Sequence, residues 1–173
     1  MKFSITKRGV ATPIVALVAV AAFAGIASAA PAVSLTKFGD GDVTMSGMSA
    51  TLANGAGEYS GVYVKNKSLS ATPLANVDFS FDYEGDVAGG SPRFSIPLST
   101  GSYAFIDALN SGNTGTVSTD DPNAKVFINT GGEYANWDAM VAANPTWRIG
   151  SGKVPFVIAD QPGTYEISNI VLR

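Results

Sequence analysis

Cysteine and histidine are both absent from this 173-residue chain. Without cysteine, no disulfide can hold the fold and no thiolate can act as nucleophile or metal ligand. Without histidine, the chain lacks the commonest zinc ligand, the side chain that titrates nearest neutrality and the usual general base. Serine-histidine-aspartate and cysteine-histidine mechanisms are therefore excluded. Charge is sparse, at 14% of residues. Beyond residue 29 no apolar run approaches the length of a membrane span.

What is present begins at the N-terminus. Lys2, Lys7 and Arg8 precede an apolar stretch over residues 10–26, broken only by Thr12, Pro13 and Gly25. Ala27-Ser28-Ala29 then supplies small residues at the two positions read for cleavage. This layout predicts a cleaved secretory signal peptide over 1–29, a single domain over 30–173 and secretion of the product. The run is mostly Ala and Val and sits at the lower limit for a span, so retention as an anchor is the competing reading. Residues 1–29 hold three of the eleven basic residues and none of the fourteen acidic ones. The remaining 144 residues thus carry eight against fourteen, a net charge of −6. A domain of that sign repels nucleic acid and anionic membrane surfaces, so neither is expected as a partner.

The region after residue 29 reads as all-β. Val77-Asp78-Phe79-Ser80-Phe81-Asp82-Tyr83 is apolar at every odd position and polar at every even one. Only a strand sends successive side chains to opposite faces, so one face is buried and the other wet. Phe94-Ser95-Ile96-Pro97-Leu98 alternates likewise, and Pro97, which cannot donate to a ladder, assigns it to a sheet edge or a bulge. Shorter candidates lie at 33–38, 43–52, 59–65, 103–108, 125–129, 147–149, 154–159 and 165–172, separated by Gly, Asn, Asp, Ser or Pro clusters. Many short strands with dense turn signals predict a β-sandwich, in the form of a jelly roll. In the last run, Tyr165 and Ile167 fall on one face while Ile170 and Leu172 fall on the other. Burial of both faces is the favoured reading, and a bulge at Ser168-Asn169 is the alternative.

One short α-helix is expected near residues 136–144. Asn136 can cap it, Asp138 complements its positive end, and Pro145 stops it. Trp137, Met140 and Val141 make one apolar face, which must pack on the sandwich because two turns do not persist in water. Residues 109–123 carry no periodicity and read as a long polar loop, either functional or a plain connection.

The chemistry-bearing patterns are few. Asp40-Gly41-Asp42 puts two carboxylates on a glycine turn, but the third acid and closing Glu of an EF-hand loop are missing. A solvated turn is the simpler reading; no metal site or cofactor is predicted, with a structural calcium ion left open. Asp78 and Asp82 share a strand face about 13 Å apart by strand rise, too far for a glycosidase carboxyl pair. There is no G-x-S-x-G and no S-x-x-K, and Gly150-Ser151-Gly152-Lys153 lacks phosphate-loop spacing. The chain is therefore not expected to be an enzyme. Asn66-Lys67-Ser68 fits a glycosylation sequon and marks a surface turn. Aromatics are spread over Tyr59, Tyr63, Tyr103, Phe105, Tyr134, Trp137, Trp147, Phe156 and Tyr165. Exposed rings beside amides and acids suit a sugar, whose C–H face stacks on them. Trp137, Phe79 and Phe81 are assigned to the core, and Trp147, Tyr134 and Tyr103 are the candidate ligand-binding residues.

Three segments carry a resemblance: Tyr59-Ser60-Gly61-Val62-Tyr63, Pro73-Leu74-Ala75-Asn76-Val77, and the closing Gly163-Thr164-Tyr165-Glu166-Ile167-Ser168-Asn169-Ile170-Val171-Leu172. Together they resemble secreted bacterial jelly-roll domains of the carbohydrate-binding-module and galactose-binding-like kind, which often close with a strand of the type Y-x-I-D/N-N-I-x-L. The resemblance covers most of residues 30–173 in layout, through short motifs. The chain departs from that group in lacking a calcium-binding acid pattern near its first strand and a linker to a catalytic domain. The resemblance implies a jelly roll that binds sugar. The leading expectation is a secreted, non-enzymatic binding or surface-interaction domain whose partner is an extracellular glycan or cell-surface polymer. A structural or envelope-associated protein without a small ligand is the second reading, and a glycan-active enzyme the third.

Overall fold

The structure, a computed structural model, describes residues 33–173; the expected signal peptide lies outside them. Two antiparallel sheets face each other. The larger has the order β1 (Ser34–Gly39), β4 (Ser60–Lys65), β11 (Phe156–Ala159), β6 (Arg93–Pro97), β7 (Tyr103–Asp107), β9 (Val126–Ile128) and β10 (Glu133–Tyr134). The smaller runs β2 (Asp42–Ser46), β3 (Ser49–Asn54), β12 (Gly163–Leu172), β5 (Phe79–Gly85) and β8 (Thr116–Ser118). The expected all-β sandwich is thus present, with one short helix, α1 (Trp137–Ala143).

The core lies between the sheets and follows from period-two patterning. Phe79, Phe81 and Tyr83 of β5 are buried, whereas Asp82 and Glu84 face outward. Opposite them, the larger sheet contributes Val62, Val64, Phe94, Ile96, Ile106 and Val157. Phe79 and Phe94, one from each sheet, stack with their rings 7° from parallel. Burial of each such ring stabilises the fold by about 1.5–3 kcal/mol.

β12 departs from the favoured sequence reading. Its register against β5 shifts between Ser168 and Val171, and Asn169 sits at φ 50°. This bulge turns Ile170 and Leu172 to the same buried side as Tyr165 and Ile167. One face is buried, not two, because an extra residue resets the alternation.

Other departures have equally local causes. The run 43–52 is two strands, not one, folded back at Gly47, whose φ of +62° suits glycine. Pro97 is neither on an edge strand nor in a bulge: β6 lies inside its sheet. β11 begins at Phe156, opposite Ser95, so no strand on that side requires an N–H from Pro97. Residues 147–149 form only isolated bridges, Arg148 to Pro73 and Ile149 to Leu98. The stretch 109–123 is not all loop, since β8 pairs with β5 and buries Val117. Thr119 Oγ1 accepts from Phe79 N at 3.0 Å, which fixes the start of β5.

The helix forms as expected. Asn136 Oδ1 accepts from Ala139 N at 2.9 Å, and Trp137 and Met140 are buried. Trp137 Nε1 donates to the Leu74 carbonyl, so the ring is anchored as well as packed.

The chain passes between sheets at the β1–β2 corner. Asp40 N and Gly41 N both donate to the Tyr59 carbonyl, and the Asp40 carboxylate accepts from Tyr59 N at 2.9 Å. A Cβ at Gly41 would collide with the Asn54 side chain. Asn54, at the end of β3, in turn donates from Nδ2 to the Ala159 carbonyl of β11 at 2.8 Å, a directional bond between the two sheets. Asp40-Gly41-Asp42 is therefore accounted for as a corner.

Trp137→Ala should destabilise the domain by about 3–5 kcal/mol, as expected for an emptied aromatic core site. Urea unfolding checks this, and a variant as stable as the parent would refute the core role of Trp137.

Candidate functional site

The outer face of the larger sheet carries a strip of aromatic rings. In β4, Val62 and Val64 point inward, so Tyr63 points outward. The register then places Tyr63 beside Phe156 of β11, Phe156 beside Ser95 of β6, Ser95 beside Phe105 of β7, and Phe105 beside Phe127 of β9. The next row places Phe38 over Gly61. A side chain at Gly61 would collide with the Phe38 ring, so glycine is what lets that ring lie flat on the sheet.

Ring contacts bind the strip in two groups, one of Tyr59, Phe38, Tyr63, Phe156 and Tyr103 and the other of Phe105 and Phe127. Phe38 lies 6.4 Å from Tyr59, 4.4 Å from Tyr63 and 5.6 Å from Phe156, centroid to centroid. Phe156 lies 5.7 Å from Tyr103, and Phe105 lies 5.7 Å from Phe127. From β1 to β9 the rings span about 24 Å at ordinary strand spacing. Tyr59 is 44% exposed and Tyr63 37%, so solvent reaches rings that an interior would hide. The tyrosine hydroxyls with protein partners are those of Tyr83, Tyr134 and Tyr165. Among the described residues, those of Tyr59, Tyr63 and Tyr103 have none.

Cations flank the rings. Lys153 Nζ sits 4.9 Å from the Tyr103 centroid and donates to the Gly101 carbonyl. The Arg93 guanidinium lies 5.8 Å from the Phe105 centroid. Arg93 is fixed by a two-pronged ion pair with Asp160, which also accepts from Ser91 Oγ at 2.8 Å. Burial pushes the Asp160 carboxyl up, but the Arg93 and Ser91 hydrogen bonds and the Arg93 charge outweigh it and hold it below the usual carboxylate range. Tyr165 sits nearby in the core. Its hydroxyl donates to the Gln161 and Pro162 carbonyls, and burial together with the charges of Asp86 and Asp160 raises its pKa.

The three residues singled out from sequence are dispersed. Tyr103 lies on the aromatic strip. Tyr134 pairs with Val126, whose side chain points inward, and its hydroxyl accepts from Asn144 Nδ2 at 3.0 Å. Trp147 is half-buried against the core, where its carbonyl accepts from Leu74 N. The strip gains instead Phe38 and Phe127, which sequence reasoning passed over. The visible signal was alternation within β1 and β9, but which face it served depended on the pairing.

The opposite outer face is polar. Thr44, Thr51, Glu166 and Glu84 form one row across the smaller sheet, with the two glutamates directly opposed and both exposed. They border a shallow depression of about 240 Å³. Nearby, Asp82 is occupied by Thr116 Oγ1 and Asn169 Nδ2. Among the described residues no group of three acidic side chains is placed to hold a metal ion, and no helix is long and apolar enough to cross a membrane. No protein-family model matches this chain, and neither characterised proteins nor solved structures yield a match.

A carboxyl held at a lowered pKa stabilises the fold above its unfolded-state value, and that contribution fades as the pH falls through the folded-state value. Asp160→Asn should therefore lower stability at neutral pH, and the deficit should shrink toward zero well below the ordinary value of 3.8. Urea midpoints for parent and variant across the acid range check it; a pH-independent deficit would contradict this account.

Proposed function

We propose that this chain is a secreted jelly-roll domain that binds an extracellular glycan without catalysing a reaction, through the ring strip on its larger sheet. The strand orders support the jelly-roll form. The neighbours β4-β11-β6-β7 in one sheet and β3-β12-β5-β8 in the other have the order expected of two four-stranded layers in a double Greek key. The N-terminal charge, apolar run and small-residue site support export.

The observation that carries the binding reading is the continuous strip Tyr59, Phe38, Tyr63, Phe156 and Tyr103 on an outer sheet face. Apolar rings there gain nothing from the core and remain available to a partner. Their planes meet at 33° to 88°, which leaves a corrugated track in place of a flat platform. Such a track suits a single polysaccharide chain, with sugar C–H faces on the rings and sugar hydroxyls on the tyrosine oxygens.

Tyr63→Ala combined with Tyr103→Ala should weaken retention in polysaccharide affinity electrophoresis by about tenfold or more, a loss of at least about 1.4 kcal/mol. Its unfolding midpoint should stay close to the parent's, because both side chains lie outside the core. Failure of the parent to bind any polysaccharide would overturn the reading. Concentration-dependent dimerisation abolished by the same substitutions would assign the strip to self-association instead. Cleavage is checked by mass spectrometry of the exported protein, whose first residue should be Ala30.

A further inference from the structure

A cleft of about 810 Å³ opens at one end of the sandwich beside the ring strip. Its charge is opposite to that of the molecule. Lys65, Lys67 and Lys153 line it, and no acidic residue does. Three of the eight basic residues beyond residue 29 thus converge on one concavity of a net-negative domain. The ion pairs among the described residues join Arg93 to Asp160, Lys125 to Glu133 and Arg173 to Asp78. Among the described residues, none of the three cleft ammonium groups has an ion-pair partner. The base is apolar, with buried Leu69 and Leu172, and the rim adds the hydroxyls of Ser34 and Ser70.

The wall of the cleft is built in place by Asn66. Its Oδ1 accepts from Ser68 N at 3.0 Å and from Ser68 Oγ at 2.6 Å, while its Nδ2 donates to the Leu172 carbonyl at 2.8 Å. The Asn66-Lys67-Ser68 sequence thus serves to pin a turn to the end of β12. The turn carries Lys67 into the lining of the same cleft as Lys65.

The cleft and the strip are continuous. Lys153 belongs to the cleft and also stands over Tyr103, and Lys65 follows Tyr63 by two residues on the same outer face of β4. We infer that the cleft is an acidic-sugar subsite, which takes the carboxylate of a uronic acid in a polysaccharide laid along the rings. The inference rests on the glycan reading above and specifies its ligand. A uronate matches both halves of the site: a ring with C–H faces for the apolar base, and a charged carboxylate for the ammonium groups. The three lysines are exposed, so they draw a carboxylate in through water, an attraction that salt screens.

The test compares polygalacturonate with a neutral galactan, using the parent and a Lys65→Gln/Lys67→Gln variant. The parent should bind the uronate polymer about tenfold more tightly at low ionic strength, an advantage that shrinks near 1 M salt, where the Debye length is about 3 Å. The variant should lose that advantage and keep its affinity for the neutral polymer and its unfolding midpoint. Equal affinity of the parent for the two polymers, or an advantage that survives in the variant, overturns the subsite and leaves the glycan reading standing. Binding to neither polymer overturns the subsite, and the glycan reading falls with it only if no other polysaccharide is retained. Binding only to anionic phosphatidylglycerol vesicles, lost in the variant, overturns the subsite in favour of a lipid headgroup.

Discussion

Everything in this fold depends on the apolar contact between two sheets, because the chain has no cysteine with which to cross-link them. The Phe79–Phe94 stack stands within that contact, with Phe81, Tyr83 and Tyr165 from the smaller sheet and the branched aliphatics of β4, β6 and β11 from the larger. Since the contact is non-directional, it requires only that each strand send its apolar residues to one side. That requirement explains the bulge in β12. The central strand of the smaller sheet must deliver four large side chains inward over ten residues, and one extra residue in the count is accommodated by a local reset of register.

The same alternation that fills the core decides what is left outside. On the smaller sheet the outward positions are threonine, serine and acid. On the larger sheet rings predominate, with Lys65 and Arg93 among them and Asp107 and Glu133 toward the β10 side. The two outer faces therefore differ in kind, and the difference arises strand by strand. Tyr63 is outward because Val62 and Val64 are inward; Phe156 is outward because Val157 is inward. Gly61 and Ser95, the small residues among them, leave room for neighbouring rings to lie over the sheet.

Local features were legible in the sequence and relational ones were not. The β5 alternation, the Asn136 cap and the apolar face of α1 each need only a few adjacent residues, and each is present as read. The hairpin at Gly47 was hidden because apolar residues continue on both sides of it. β8 was hidden because three residues give alternation too little length to show. The ring strip was less legible still. Its members come from positions 38, 59, 63, 103 and 156, and only cross-strand register makes them neighbours. Trp147 and Tyr134 flank the helix in sequence, yet their neighbours in space are core residues and Asn144. The lysine cleft follows the same rule, since Lys65 and Lys153 meet only when β4 and β11 pair.

Asn54 has a mechanical consequence. Apolar attraction has no direction, so burial alone does not set how one sheet lies along the other. The bond from Asn54 Nδ2 to the Ala159 carbonyl has a direction and a length, so it acts as a shear pin between the layers. With Gly41 leaving space for that side chain, the pin stands at the corner where the chain changes sheets. Asn66, which donates to the Leu172 carbonyl just past the far end of β4, makes a second such bond, so the two layers are held in register at both ends of the sandwich.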